Sequence, residues 1–130
     1  MKFFVLTIFI CSASLLFSQV KKRELGYYQG TISSYTINTG QELLTVDSSE
    51  IIIWLENDRI SFKIDNKKYK GTYTVKKRNK RDYTLKVKLG FSDIEEELRI
   101  TGKNKSIWRK GLFPQPDSVL HKLKKKAVVW

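Results

Sequence analysis

The chain has 130 residues, 25 Lys and Arg against 13 Asp and Glu, a formal net charge of +12, and aromatic side chains at 12% of positions. That length suits one domain, and the aromatic content is too high for a disordered basic tail. The single cysteine, Cys11, excludes an intrachain disulfide and leaves a thiolate zinc site without enough ligands.

Met1-Lys2 is followed by an apolar run over residues 3–10 and by small residues at 12–14. A short positive region before an apolar core is the pattern of a secretory signal. We expect residues 1–18 to be a signal peptide, with cleavage after Ser18 leaving Gln19 first, and export to a periplasmic or extracellular compartment. Leu16 fits the −3 position poorly, so cleavage near Ala13 or an uncleaved anchor stays open. Ile10 stands where a lipobox has a small residue before its cysteine, which argues against lipidation of Cys11.

Residues 19–130 then form one domain. After a basic lead-in, short β-branched and aromatic runs occur at 27–37, 43–46, 51–55, 60–64, 69–75, 83–89, 94–100 and 106–110. Apolar and polar side chains alternate within them, as on the two faces of a strand. The expected fold is all-β: an antiparallel up-and-down meander of about eight strands forming a small barrel. Hairpin turns set Leu55 opposite Ile60, Ile53 opposite Phe62, Phe62 opposite Tyr69, Val75 opposite Tyr83, Tyr73 opposite Leu85, Leu89 opposite Ile94, Lys86 opposite Glu97 and Leu98 opposite Arg109. These pairings give one inward apolar face. Pro114 and Pro116 stop the sheet, since proline supplies no ladder donor. Asp117 or Ser118 is expected to cap a short C-terminal helix to about residue 125, with Val119, Leu120 and Leu123 on its apolar side, followed by a basic tail.

Eight meandering strands and a C-terminal helix resemble the lipocalin-like, or calycin, barrels. Gly26-Tyr27-Tyr28 is similar to the Gly-x-Trp that opens their first strand, with tyrosine in place of tryptophan. Arg109 matches the basic residue that packs over that aromatic near the end of their last strand. The likeness covers residues 26–125 in layout. It implies a small apolar or amphipathic ligand held in the barrel mouth, against Phe62, Tyr69, Tyr73, Tyr83 and Leu85, with Glu96 and Arg109 near one end. The same inner face could instead fill the barrel, and an open sandwich or curved sheet would use the same strands.

Glu96 is the one charge on the inner face, and a buried carboxylate needs a partner. An inward Glu96–Arg109 pair would fix an acidic or polar ligand group. A bulge near Asp93 turning Glu96 to solvent, or a structural ion pair at the rim, are the plainer readings. Trp54 and Trp108 fall on the outer face, where the terminal helix would cover them or a partner would dock. The basic loop at 76–81, with Lys68, Lys70, Lys86 and Lys88, suits either an anionic polymer or membrane surface, or simple solvation of a hairpin tip. Most aromatics point inward, which disfavours stacking on nucleic acid. His121 is the sole histidine, no ligand spacing suggests a metal or cofactor, and no catalytic triad or phosphate loop is present. The sequence therefore points to a non-enzymatic binding module. The alternative is an envelope interaction protein with a solid core and a basic binding surface.

Overall fold

Alternation from Gly26 onward becomes ten strands in the computed structural model, which describes residues 20–90, 94–112, 114–124 and 130. A 3-10 turn, Lys22–Glu24, precedes them. The strands are β1 (Gly26–Ile32), β2 (Tyr35–Asn38), β3 (Leu43–Val46), β4 (Ser49–Leu55), β5 (Ile60–Ile64), β6 (Lys67–Lys77), β7 (Asp82–Leu89), β8 (Glu95–Thr101), β9 (Ser106–Arg109) and β10 (Ser118–Lys122). Eight close into an antiparallel barrel in the order β1-β10-β9-β8-β7-β6-β5-β4.

The strand count matches the sequence reading, but the membership does not. The run at 27–37 breaks at Ser33-Ser34, and β2 and β3 form a separate two-stranded sheet. Ile32 faces Ser49 and Tyr35 faces Val46, so the β1–β4 hairpin resumes in the same register beyond the break. Its distal half leaves the barrel wall as an arm. The eighth barrel strand is β10, the segment expected to be a helix. Ser118 and Leu120 are buried and Val119 is exposed, an alternation of two rather than of 3.6. Without β10, both β1 and β9 would present unpaired edges, and that tertiary demand overrides a short segment's helical pattern. Gly30 admits it: a Cβ there would lie 2.5 Å from the Val119 carbonyl oxygen. Among the described residues no helix is long and apolar enough to cross a membrane. The leader at 1–18 and the tail at 125–129 lie outside the described residues.

The hairpin registers follow the sequence with one exception. Leu55 faces Ile60, Phe62 faces both Ile53 and Tyr69, Lys86 faces Glu97, and Leu98 faces Arg109. Val75 faces Leu85 rather than Tyr83, and Tyr73 faces Val87 rather than Leu85. The basic loop is tighter than expected, with the Arg78 N–H donating to the Asp82 carbonyl at 2.8 Å. A slip of two residues keeps every side chain on its face, whereas a slip of one would have inverted the strand.

The middle of the barrel is filled. Ile51, Ile53, Ile60, Phe62, Leu85, Leu98, Ile107 and Leu120 are fully buried. Each such side chain contributes roughly 1.5–3 kcal/mol of transfer free energy. One end is closed by the 3-10 turn. Val20 and Leu25 pack on the core, and the buried Glu24 carboxylate meets Arg81 at 3.2 Å and Arg23 at 3.4 Å. The Tyr28 hydroxyl donates to the Glu24 carbonyl at 2.6 Å, and burial pushes its pKa upward, with the Glu24 charge adding to the shift. Tyr28 is therefore a core tyrosine of the closed end. It sits level with Lys122, whereas Arg109 sits level with Ser118, so the Tyr28–Arg109 packing implied by the resemblance is not formed.

The outer tryptophans are covered without a helix. Tyr27 stacks on Trp54 with ring centroids 5.1 Å apart, and Trp130 packs against both at 5.8 and 5.7 Å. The Arg99 guanidinium lies 4.9 Å from the Trp108 ring centroid.

Candidate functional site

The other end of the barrel is open. Here a recess of about 380 Å³ is walled by Phe62 and Ile64 of β5, Tyr69 of β6 and Leu89 of β7. Tyr35 reaches in from the arm, and Ile94 and Leu112 form the lip. The arm contributes because Tyr35, Ile37, Leu44 and Val46 share one face by strand alternation and pairing. Ile94 was expected on the inner face opposite Leu89. It is instead 56% exposed, because β8 begins only at Glu95 and Ile94 stands beyond the closed ladder. The bulge considered near Asp93 lies outside the described residues.

Glu96 and Arg109 form the polar floor. Both are buried, on adjacent strands with Leu98 opposite Arg109, so Glu96 lies diagonally across on the same face. An Arg109 Nη2 group donates to Glu96 Oε1 at 2.5 Å, and Nη1 donates to Gln115 Oε1 at 2.7 Å. The guanidinium also lies over Phe62, 5.9 Å from its ring centroid. Gln115 is brought there by a tight loop. The Gln115 N–H donates to the Leu112 carbonyl at 2.8 Å, and the Gly111 N–H donates to the Asp117 carboxylate at 2.9 Å. A Cβ on Gly111 would lie 2.3 Å from the carbonyl oxygens of Gln115 and Pro116, so only glycine fits the fold of this loop.

Glu96 Oε2 and Arg109 Nε have no hydrogen-bond partner. An acceptor and a donor are thus left together beneath apolar walls, and the pair carries no net charge. That combination suits an uncharged polar group able both to donate and to accept, such as a hydroxyl or amide, more than a lone anion or cation.

Of the residues expected in the site, Phe62, Tyr69, Glu96 and Arg109 meet at this mouth. Tyr83 and Leu85 are fully buried core residues that do not line the recess. Tyr73 serves the closed end. Its hydroxyl donates to the Glu56 carbonyl and, at 3.0 Å, to that of Asn57. Burial, with the nearby Asp58 and Glu56 charges, pushes its pKa up to about 12. Alternation placed Ile64, Leu89 and Ile94 on the inner face without assigning them to the site. Tyr35 lies in β2, within a run read as part of the first strand, and Leu112 and Gln115 come from an irregular segment that no periodicity marks. Another recess, about 440 Å³ on the outer wall, is lined by Glu50, Ile52, Lys63, Asp65 and Asn66. The mouth is the stronger candidate because apolar walls and a buried polar pair converge there. Among the described residues no group of three or more His, Cys, Asp or Glu side chains could hold a metal ion.

No family model, curated protein or solved structure matches this chain.

Proposed function

We propose that the chain is an exported, non-enzymatic binding protein that holds a small amphipathic molecule in the barrel mouth. The apolar part of the ligand rests on Phe62, Ile64, Tyr69 and Leu89, and a hydroxyl or amide group meets Glu96 and Arg109. The observation that carries this reading is the Glu96–Arg109 pair, buried beneath an apolar recess with one acceptor and one donor unspent. Binding accounts for the site better than catalysis, because the carboxylate in the lining is already committed to Arg109. Export rests on the signal-like pattern of residues 1–18. The filled middle of the barrel limits the ligand to the mouth, clear of the buried Tyr83 and Leu85.

Native mass spectrometry of protein purified without denaturant tests the reading. A co-purified small molecule is expected, displaced by Ile64→Trp, which fills the recess from its wall. Protein that is folded, ligand-free and indifferent to a panel of fatty alcohols and amides would overturn it.

A further inference from the structure

The barrel is electrically polarised along its axis, a property that arises only when the chain folds. Lys21, Lys22 and Arg23 precede β1; the basic residues at 76–81 end β6 and lead into β7; Lys103 and Lys105 lie in the β8–β9 turn; and Lys122 and Lys124 end the described part of β10 and its exit. All four segments meet at the closed end. Their placement follows from the register, with Lys77 facing Tyr83, Asp82 facing Thr101, Thr101 facing Ser106, and the Lys122 N–H donating to the Lys105 carbonyl. The carboxylates on that side are few. Glu24 is buried against Arg23 and Arg81, Asp58 is 3.8 Å from Arg59, and Glu56 and Asp82 complete the set. At the mouth, Asp47, Glu50, Asp65, Glu95 and Asp117 alternate with Lys63, Lys67, Lys88 and Lys110, so charge there is nearly balanced.

We propose that the closed, basic end docks on an anionic lipid surface and so turns the mouth away from the bilayer. A further observation favours lipid over another polyanion. The Tyr27, Trp54 and Trp130 cluster lies on the wall beside that end, with the Lys68 ammonium 5.6 Å from the Trp130 ring centroid, and such amphipathic rings partition to the headgroup level. This inference is independent of what the mouth binds.

Vesicle flotation with the chain from Gln19 onward, the form expected after leader removal, provides the test, comparing phosphatidylcholine vesicles with vesicles in which about a third of the lipid is phosphatidylglycerol. Stronger binding to the anionic vesicles, weakened by salt, is expected. Neutralising four exposed loop charges together, Lys76→Gln, Lys77→Gln, Arg78→Gln and Lys80→Gln, is expected to reduce it on the order of 10²–10³-fold. Arg81 is kept because it holds Glu24. A variant at the mouth, Lys67→Gln, Lys88→Gln and Lys110→Gln, should lose no more than about threefold, since its charges sit beyond a Debye length from the docked surface. Equal losses in the two variants would show diffuse charge attraction and overturn the proposal. So would equal binding to both vesicle types. Retention on immobilised heparin or nucleic acid without vesicle binding would also overturn it.

Discussion

Replacing Arg109 by methionine leaves the buried Glu96 carboxylate without its counter-charge. The side chains of both residues are close to 5% exposed, and the pair is 2.5 Å apart, so water supplies little compensation. Breaking a buried pair by removing one partner costs about 3–5 kcal/mol. That is a large part of the roughly 5–15 kcal/mol that stabilises a typical domain. Replacing both residues, as Glu96→Leu with Arg109→Met, removes the uncompensated charge along with the desolvation cost of the pair. The double variant is therefore expected within about 1–2 kcal/mol of the parent, and on either side of it. Urea unfolding measures this directly. With a slope of about 1–3 kcal/mol/M, the single variant should shift the midpoint by a molar unit or more at unchanged slope, and the double variant should return most of it. Ligand binding at the mouth should be lost in both. Two single variants that each cost less than about 1 kcal/mol and simply add would refute the reasoning, because they would show that the pair is hydrated through the mouth.

Gly71 lies between Ile60 and Leu89, where a Cβ would approach the Lys88 carbonyl oxygen to 2.3 Å; Gly71→Ala is expected to cost about 1–3 kcal/mol, read by thermal unfolding. Gly111→Ala should displace Gln115 from Arg109 and weaken ligand binding with a smaller loss of global stability, separable by calorimetric titration against unfolding data. The raised pKa values of Tyr28 and Tyr73 mean that the folded state keeps these protons longer than the unfolded chain, so stability is intact below pH 10 and falls as pH rises toward 12. Tyrosine absorbance titration should show ionisations raised above the ordinary tyrosine value, and Tyr73→Phe should remove one of them and lessen the alkaline loss. At the acid end, the hydrogen bond from Lys86 holds the Glu97 carboxyl below its ordinary value, so this pair stabilises above about pH 4.5 and is lost as pH falls through the lowered pKa. Glu97→Gln should flatten that limb of a pH–stability curve by less than about 1 kcal/mol, as befits an exposed pair.

The barrel's inner face was readable because burial imposes a period of two that survives in the sequence, from Ile51 through Ile100. Glu96 and Arg109 could be paired in advance for the same reason: hairpin register transmits position across strands once a turn is located. The C-terminal strand was not readable. Val119, Leu120 and Leu123 are spaced as well for a helical stripe as for anything else, and only the need of β1 and β9 for a common neighbour decides between them. The arm was hidden because Tyr27 to Ile37 is continuously β-prone, and the break at Ser33-Ser34 lacks a glycine or proline to mark it. Gln115 entered the site through a loop whose geometry depends on Gly111 and on contacts no local pattern encodes.

The β1–β10 seam has a kinetic consequence. The strands from β4 to β10 follow one another through short turns, so each can pair soon after its neighbour. One edge of β1 pairs with β4, but the other waits for residues nearly a hundred positions later, since Tyr28 faces Lys122. Closing so long a loop is entropically slow, and non-local pairing of this kind governs folding rate. During synthesis the outer edge of β1 remains open until the last strand has emerged, and it can template pairing with another chain throughout that interval. A chain truncated before Ser118 would make that transient state permanent, converting a closed barrel into an open sheet with two adhesive edges.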